Sequence, residues 1–268
     1  MRISIIGGGA MAEAIITGLV NGTVLEPGDI NVGEPVLKRR TYLAEKYQVN
    51  CFPNNIDSVK STDLVILAVK PQGISSVLEE LNGKLTSDQI VLSIVAGVRI
   101  KQLSETLHHE LIVRVMPNAP ARISKGMSVW IATPEIKSRG LEQIGELLGV
   151  LGQQMQVDDE KLLDMATAVS GSGPAYVWLF LEALIDGGVY IGLSREIASK
   201  LAAQTLLGSA EMAQQSQAHP VELRNIVTSP GGTTGEAIRV LEESGFRAAV
   251  VQAVIAAYEK TKLLGDQD

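Results

Sequence analysis

The first twelve residues constrain the fold more than any other stretch. They read Met1-Arg2-Ile3-Ser4-Ile5-Ile6-Gly7-Gly8-Gly9-Ala10-Met11-Ala12. Residues 2–6 are a short apolar run, suited to a strand buried on both faces of a parallel sheet. Glycines follow directly, and then Met11, Ile15, Ile16, Leu19 and Val20 recur on one face of a helix. Strand, Gly-x-Gly-x-x-Ala turn and helix in immediate succession suit a dinucleotide. Gly7 permits the tight turn, Gly9 lets backbone approach a pyrophosphate, and Ala12 keeps helix and strand close.

The alternation continues through the first half. Strand patterns at 3–6, 30–32, 64–69, 90–95, 111–116, 127–132 and 155–157 alternate with helical patterns near 10–21, 36–47, 73–81, 99–107 and 135–151. Such alternation builds an α/β domain, a doubly wound, mostly parallel sheet whose ligands sit at the carboxyl ends of its strands. Three further strand exits belong to that edge: Ala68-Val69-Lys70-Pro71, Ala96-Gly97-Val98 and Met116-Pro117-Asn118. Each carries Pro or Gly where the chain leaves the sheet.

After residue 158 the pattern turns helical, so a dinucleotide-binding domain, 1–158, and a helical domain, 159–268, are expected. Lys161–Val169 reads as helix, Gly171-Ser172-Gly173-Pro174 as an interruption, and Pro174 as the start of the next helix. Val177, Phe180, Leu181, Leu184, Ile185 and Val189 form one broad apolar face. Helices apolar on most sides need more cover than these few elements supply, so a second, intertwined copy is expected.

A net charge of −7 argues against nucleic acid or an anionic membrane as partner, so a bound anion must be met by local N–H groups. The one cysteine, Cys51, can form no internal disulfide, and adjacent His108 and His109 lack the helical spacing of a zinc pair, so no metal is expected. The N-terminus enters the first strand directly, leaving no room for a signal peptide. The stretch 177–185 is interrupted by Glu182 and followed by Asp186, which reads as too short and too charged to span a bilayer. A cytoplasmic location is expected. Near the C-terminus, Ser229-Pro230-Gly231-Gly232-Thr233-Thr234 makes a tight turn that delivers two hydroxyls to a helix start. Unpaired N–H groups there can hold a small carboxylate without an arginine.

These stretches together resemble the pyrroline-5-carboxylate reductases over essentially the whole chain. The likeness includes the turns above, Val169-Ser170-Gly171-Ser172-Gly173-Pro174-Ala175-Tyr176, His219-Pro220, Leu241-Glu242 and Gly245-Phe246-Arg247. It implies a Rossmann domain followed by an all-α dimerisation domain, a homodimer through that domain, and dimers that can assemble further. It implies hydride transfer from NADPH or NADH to a cyclic imine bearing a carboxylate, giving L-proline. Cofactor binding is then expected at Gly7, Gly8, Gly9, Ala10, Met11, Ala12, Glu34, Asn55, Ala68, Val69, Lys70, Pro71, Ala96 and Gly97. Substrate binding is expected at Met116, Asn118, Ser172, Gly173, Ser229, Gly231, Gly232, Thr233 and Thr234. The imine nitrogen needs a proton, and the C-terminal turn holds no histidine or carboxylate. The expected donor is the Thr234 hydroxyl or a bound water. In an intertwined dimer these groups can come from the partner chain, which would leave a monomer inactive.

One position departs from the family pattern. Relatives often carry a hydroxyl or basic residue at the end of strand two, suited to the 2′-phosphate of NADPH. Here that strand ends Val32-Gly33-Glu34-Pro35. An acid about 25 positions after Gly9 suits a free ribose 2′-hydroxyl, and its charge opposes a phosphate. Lys38, Arg39 and Arg40 follow and can offset that charge, so NADH is expected to serve at least comparably well. Two other readings fit less. The β-hydroxyacid dehydrogenases use a helix-borne lysine, and Ala175-Tyr176-Val177-Trp178-Leu179-Phe180 has none. A dinucleotide-sensing module would need an effector or DNA-binding element, for which this acidic chain offers no candidate.

Overall fold

A computed structural model describes residues 1–265. The chain divides into two compact units, Met1–Ser172 together with residues 257–265, and Gly173–Ala256. The first unit thus extends to Ser172, past the 158/159 boundary read from the sequence.

In chain order the first unit contains β1 (Ile3–Ile6), α1 (Ala10–Asn21), β2 (Ile30–Gly33), α2 (Leu37–Tyr47), β3 (Asn50–Phe52), α3 (Asn55–Ser58), β4 (Leu64–Leu67), α4 (Ile74–Leu81), β5 (Ile90–Ser93), α5 (Ile100–Leu107), β6 (Ile112–Met116), β7 (Gly126–Ala132), α6 (Ser138–Gly149), β8 (Gly152–Gln156) and α7 (Lys161–Ala166). The strands form one sheet in the order β3-β2-β1-β4-β5-β6-β7-β8. Neighbours are parallel except β6 and β7. This is the doubly wound, mostly parallel sheet that the sequence predicts.

β1 and β4 are buried along their whole length, as central strands covered on both faces must be. Ile3 and Ile5 face α1 and α6, packing with Ile15, Ile16, Leu19, Ile144, Leu147 and Leu148. Ile6 points the other way, joining Leu67 and Val91 against Leu78, Leu81, Leu103 and Leu107 of α4 and α5. Each such side chain, fully buried, contributes about 1.5–3 kcal/mol. The short β3 and α3 are not anticipated by the apolar pattern. Asn54 starts α3 by accepting a hydrogen bond from the Asp57 N–H at 2.8 Å.

The predicted interruption at Gly171–Pro174 takes the form of a π-helical turn and a bend at Ser172 rather than a loop. α7 runs into a π-helical turn, Thr167–Gly171, and then into α8 (Gly173–Tyr190). The Ser172 N–H donates to the Thr167 carbonyl at 2.8 Å, and Pro174 needs no acceptor in a first turn. Lys161–Tyr190 is a 30-residue helix with a most apolar window of mean hydropathy 1.3, long and apolar enough to cross a membrane by length and composition alone.

The second unit holds α8, α9 (Arg195–Ser216), α10 (Pro220–Ile226), α11 (Thr233–Glu243) and the first part of α12 (Phe246–Gly265). Ser194 caps α9 and the His219 imidazole caps α10. Phe180 and Phe246 pack with ring centroids 5.7 Å apart. Trp178, Leu179, Leu201, Leu207, Val240 and Val251 are exposed in the single chain. Exposed apolar side chains in that number mark an interface.

Candidate active site

The carboxyl end of β1 opens into the glycine turn. Gly7 has φ +96°, and a Cβ there would stand 3.0 Å from both the Ala68 carbonyl and the Val69 side chain. Its N–H donates to the Gly33 carbonyl at 2.8 Å, fixing the turn against β2. Gly9 caps α1 in extended conformation, and a Cβ there would meet nothing within 4 Å. The first helical hydrogen bond runs from Glu13 to the Gly9 carbonyl at 3.0 Å. The N–H groups of Ala10, Met11 and Ala12 therefore have no acceptor within the helix. Open space in front of these donors fits a diphosphate, and the residues present fit a dinucleotide.

Glu34, just past β2, is buried beneath this turn rather than reaching outward. One carboxylate oxygen accepts from the Gly8 N–H and the other from the Val36 N–H, each at 2.9 Å. Arg39 donates to the Gly8 carbonyl and, at 2.6 Å, to Glu13. Arg40 donates to the carbonyls of Glu34 and Pro35 at 2.8 and 3.0 Å. Asn55 donates through its backbone and side-chain nitrogens to Glu80, at 3.2 and 2.7 Å.

Glu13 is a functional neighbour that sequence reasoning missed, because its partners come from α2. Burial pushes its carboxyl upward, but hydrogen bonds from Arg39, Tyr42, Lys46 and Tyr47 outweigh that and hold it at about 2, against an ordinary 4.5. Its contribution to stability is therefore complete above pH 4.5 and is lost as pH falls toward about 2. Urea unfolding should show Glu13→Gln less stable than the native chain at neutral pH, with the gap closing across that window. A gap independent of pH would refute the assignment.

Three other strand exits meet the same edge. Lys70 precedes a single turn at Pro71–Gly73. Gly97 has φ +79°, with Leu264 of α12 in van der Waals reach of a Cβ there. At the exit of β6, Asn118 accepts from the Met127 N–H at 2.9 Å and donates to the Ser170 carbonyl at 3.1 Å. A Cβ on Gly171 would lie 3.8 Å from Met116. Met116 and Asn118 are thus brought to the π-turn, where the buried Ser170 hydroxyl has no hydrogen-bond partner. Ser172 lies at the bend between the π-turn and α8, whose first residue is Gly173.

In the second unit, Gly231 has φ +69° and the Gly232 N–H closes the turn onto the Ser229 carbonyl at 3.1 Å. Gly232 caps α11, which begins at Thr233. A Cβ on Gly232 would lie 2.5 Å from the Ser229 hydroxyl, so glycine is needed there. The first-turn N–H groups of Thr233, Thr234 and Gly235 lack intrahelical acceptors. Thr234 is half-buried beside them.

A buried ion cluster supports the β6 exit from behind. Arg114, 1% exposed, donates to Glu160 at 2.8 Å and to Asp164 at 3.2 Å. Glu160 also accepts from the Ile100 N–H at 2.9 Å. Arg99 lies 3.9 Å from Asp164 and donates to the Gly265 carbonyl at 3.1 Å. Nothing in the strand pattern flags Arg114, because its partners lie on a later helix.

Comparison with known proteins agrees with this geometry. Residues 160–264 match the family described as pyrroline-5-carboxylate reductase dimerisation, and residues 2–97 match NADP oxidoreductase, coenzyme F420-dependent. The pyrroline-5-carboxylate reductase of Synechocystis sp. is 43% identical over 99% of this chain and 98% of its own. That of Pseudomonas aeruginosa is 40% identical, with 99% and 97% covered. The solved structure of the Coxiella burnetii enzyme superimposes with a TM-score of 0.92 at 35% identity over 99% of both chains. The Plasmodium falciparum pyrroline carboxylate reductase, crystallised with NADP bound, gives 0.90 at 33% identity over 99% of this chain and 98% of that one. Prephenate dehydrogenase from Aquifex aeolicus, at 14% identity, shares the fold alone. Identities of this order along nearly the whole length, with the dimerisation region included, mean that the chain belongs to the pyrroline-5-carboxylate reductase family.

Proposed function

We propose that the edge formed by Gly7–Ala12, Glu34, Asn55, Ala68–Pro71 and Ala96–Gly97 holds the dinucleotide, and that Met116, Asn118, Ser172, Gly173 and the Ser229–Thr234 turn hold the imine. The reaction is the reduction of 1-pyrroline-5-carboxylate to L-proline with NAD(P)H, the final step of proline biosynthesis. The bound nicotinamide supplies the hydride. The observation that carries the assignment of the cofactor edge is the open cradle at Gly9, facing the unpaired N–H groups of α1. The first-turn N–H groups of α11 meet the substrate carboxylate in the same manner, with the Ser229 hydroxyl beside them. The Thr234 hydroxyl, or a water it positions, gives the imine nitrogen its proton.

Mixing purified protein, pyrroline-5-carboxylate and reduced cofactor tests this directly, by loss of the near-ultraviolet absorbance of NADH or NADPH. No oxidation with either, in a folded protein that still binds the cofactor, would overturn the reading. Thr234→Ala should lower kcat about tenfold, the worth of one hydrogen bond at the reacting nitrogen, with a water taking part of its place. An unchanged kcat would remove Thr234 from the mechanism.

Residues 160–264 match the family's dimerisation region, and the apolar helices of the second unit are the surface that a second copy covers. The helix Lys161–Tyr190 is apolar for that reason and serves the interface rather than a bilayer, consistent with a cytoplasmic enzyme. Residues 1–158 act as the dinucleotide-binding domain and 159–268 as the dimerisation and substrate domain. The dimers assemble further, which light scattering would read as a mass above two chains. A net charge of −7 leaves nucleic acid outside its partners.

A further inference from the structure

At the end of β2 the chain has filled with its own carboxylate the place where a phosphorylated ribose would rest. The adenosine ribose of a bound dinucleotide lies at this strand end, beside the glycine turn. Two backbone donors are there, the N–H groups of Gly8 and Val36, and each is spent on one oxygen of Glu34 at 2.9 Å. Glu34 is only 9% exposed, so its charge is poorly screened by salt. It cannot swing away without leaving both N–H groups unpaired. A Cβ on Gly8 would already stand 3.0 Å from its carboxylate.

Three of the four cations of α2 are engaged elsewhere, which leaves the exposed Lys38 to offset this charge from the outer side of the helix. Arg39 is drawn to the Gly8 carbonyl and to Glu13, Lys46 to Glu13 and Tyr42, and Arg40 to the carbonyls of Glu34 and Pro35. A second carboxylate stands at the same strand end. Asn55, whose side-chain oxygen lies against Gly33, is held by Glu80. A 2′-hydroxyl can donate to a carboxylate in this setting, whereas a 2′-phosphate dianion meets like charge and finds the Gly8 and Val36 N–H groups already taken.

We infer that Glu34 is the specificity-determining residue for the reductant, occupying the anion position so that the enzyme selects NADH over NADPH. The inference rests on the dinucleotide edge proposed above and goes beyond it by choosing between the two cofactors.

The test is a pair of titrations, NADH and NADPH, followed by tryptophan fluorescence, alongside kcat/KM for each with pyrroline-5-carboxylate. The native protein should favour NADH at least about tenfold in both measurements. Glu34→Ser frees the Gly8 and Val36 N–H groups and should move the ratio of dissociation constants about thirtyfold toward NADPH, with Glu34→Gln moving it part of the way. Should Glu34→Ser fail to fold, Glu13→Gln releases Arg39 without touching Glu34 and should shift the ratio severalfold in the same direction. A native preference for NADPH, or a ratio unmoved in all the folded variants, would overturn the inference. NADH-selective binding without imine turnover would support it while sinking the reductase reading, so the two failures are distinguishable.

Discussion

Gly9→Val should leave the fold intact and raise the dissociation constant for NADH about a hundredfold, roughly 2.7 kcal/mol. Gly9 sits at φ −70°, ψ −172°, extended backbone that valine adopts without strain. No atom lies within 4 Å of the position its Cβ would take, so no protein contact is disturbed. That space is the approach to the N–H groups of α1, and a branched side chain would fill it. Thermal unfolding should be displaced by no more than about 0.5 kcal/mol, as for an exposed substitution, while fluorescence titration shows the loss of binding. Gly7→Val is the control. At φ +96° and 3.0 Å from the Ala68 carbonyl, it should cost stability as well as binding. Native-like NADH binding by Gly9→Val would mean that the diphosphate does not cross Gly9.

Arg114→Ala should destabilise the first unit by about 3–5 kcal/mol, because it strands a buried carboxylate. Asp164 is 5% exposed and Arg114 is its shorter-range partner, at 3.2 Å against 3.9 Å for Arg99. For a chain of this size that corresponds to a fall in Tm of about 10 °C, readable by calorimetry. Replacing Arg114 and Asp164 together with apolar residues should restore most of the loss, since a buried pair contributes little beyond its own desolvation. If Arg114→Ala melts within about 2 °C of the native chain, the cluster is hydrated and structurally minor.

The sheet was legible because its strands are continuous apolar runs and its glycine turn is local in sequence. Ile3–Ile6 and α1 fall where the residues predict them. β3 and α3 escaped notice because Asn50–Phe52 is three residues long with no apolar alternation, and because the Asn54 cap starts only one turn. α2 and α5 end at Gln48 and His108 in left-handed conformation, positions where a glycine would have announced the stop. The π-turn at Thr167–Gly171 was hidden for the opposite reason. Gly171, Ser172, Gly173 and Pro174 look like a break, yet Ser172 reaches back five residues to Thr167 and the helix continues. At the site, the backbone cradle was readable from glycine spacing. The commitments of Glu34, Arg39 and Glu13 were not, since they join β2, α1 and α2 through side chains far apart in sequence.

The sheet unit is interrupted in sequence, since residues 257–265 belong to it and 173–256 do not. The ribosome therefore delivers its last piece after the whole intervening helical segment. At about 5–20 residues per second that delay is on the order of ten seconds, longer than most small domains need to fold. The nascent sheet must stand through that interval with Gly97 lacking Leu264 and Arg99 lacking the Gly265 carbonyl. The final turn of α12 thus acts as a late closure, so that the loop at Ala96–Gly97 reaches its finished form only after the intervening helices have been made.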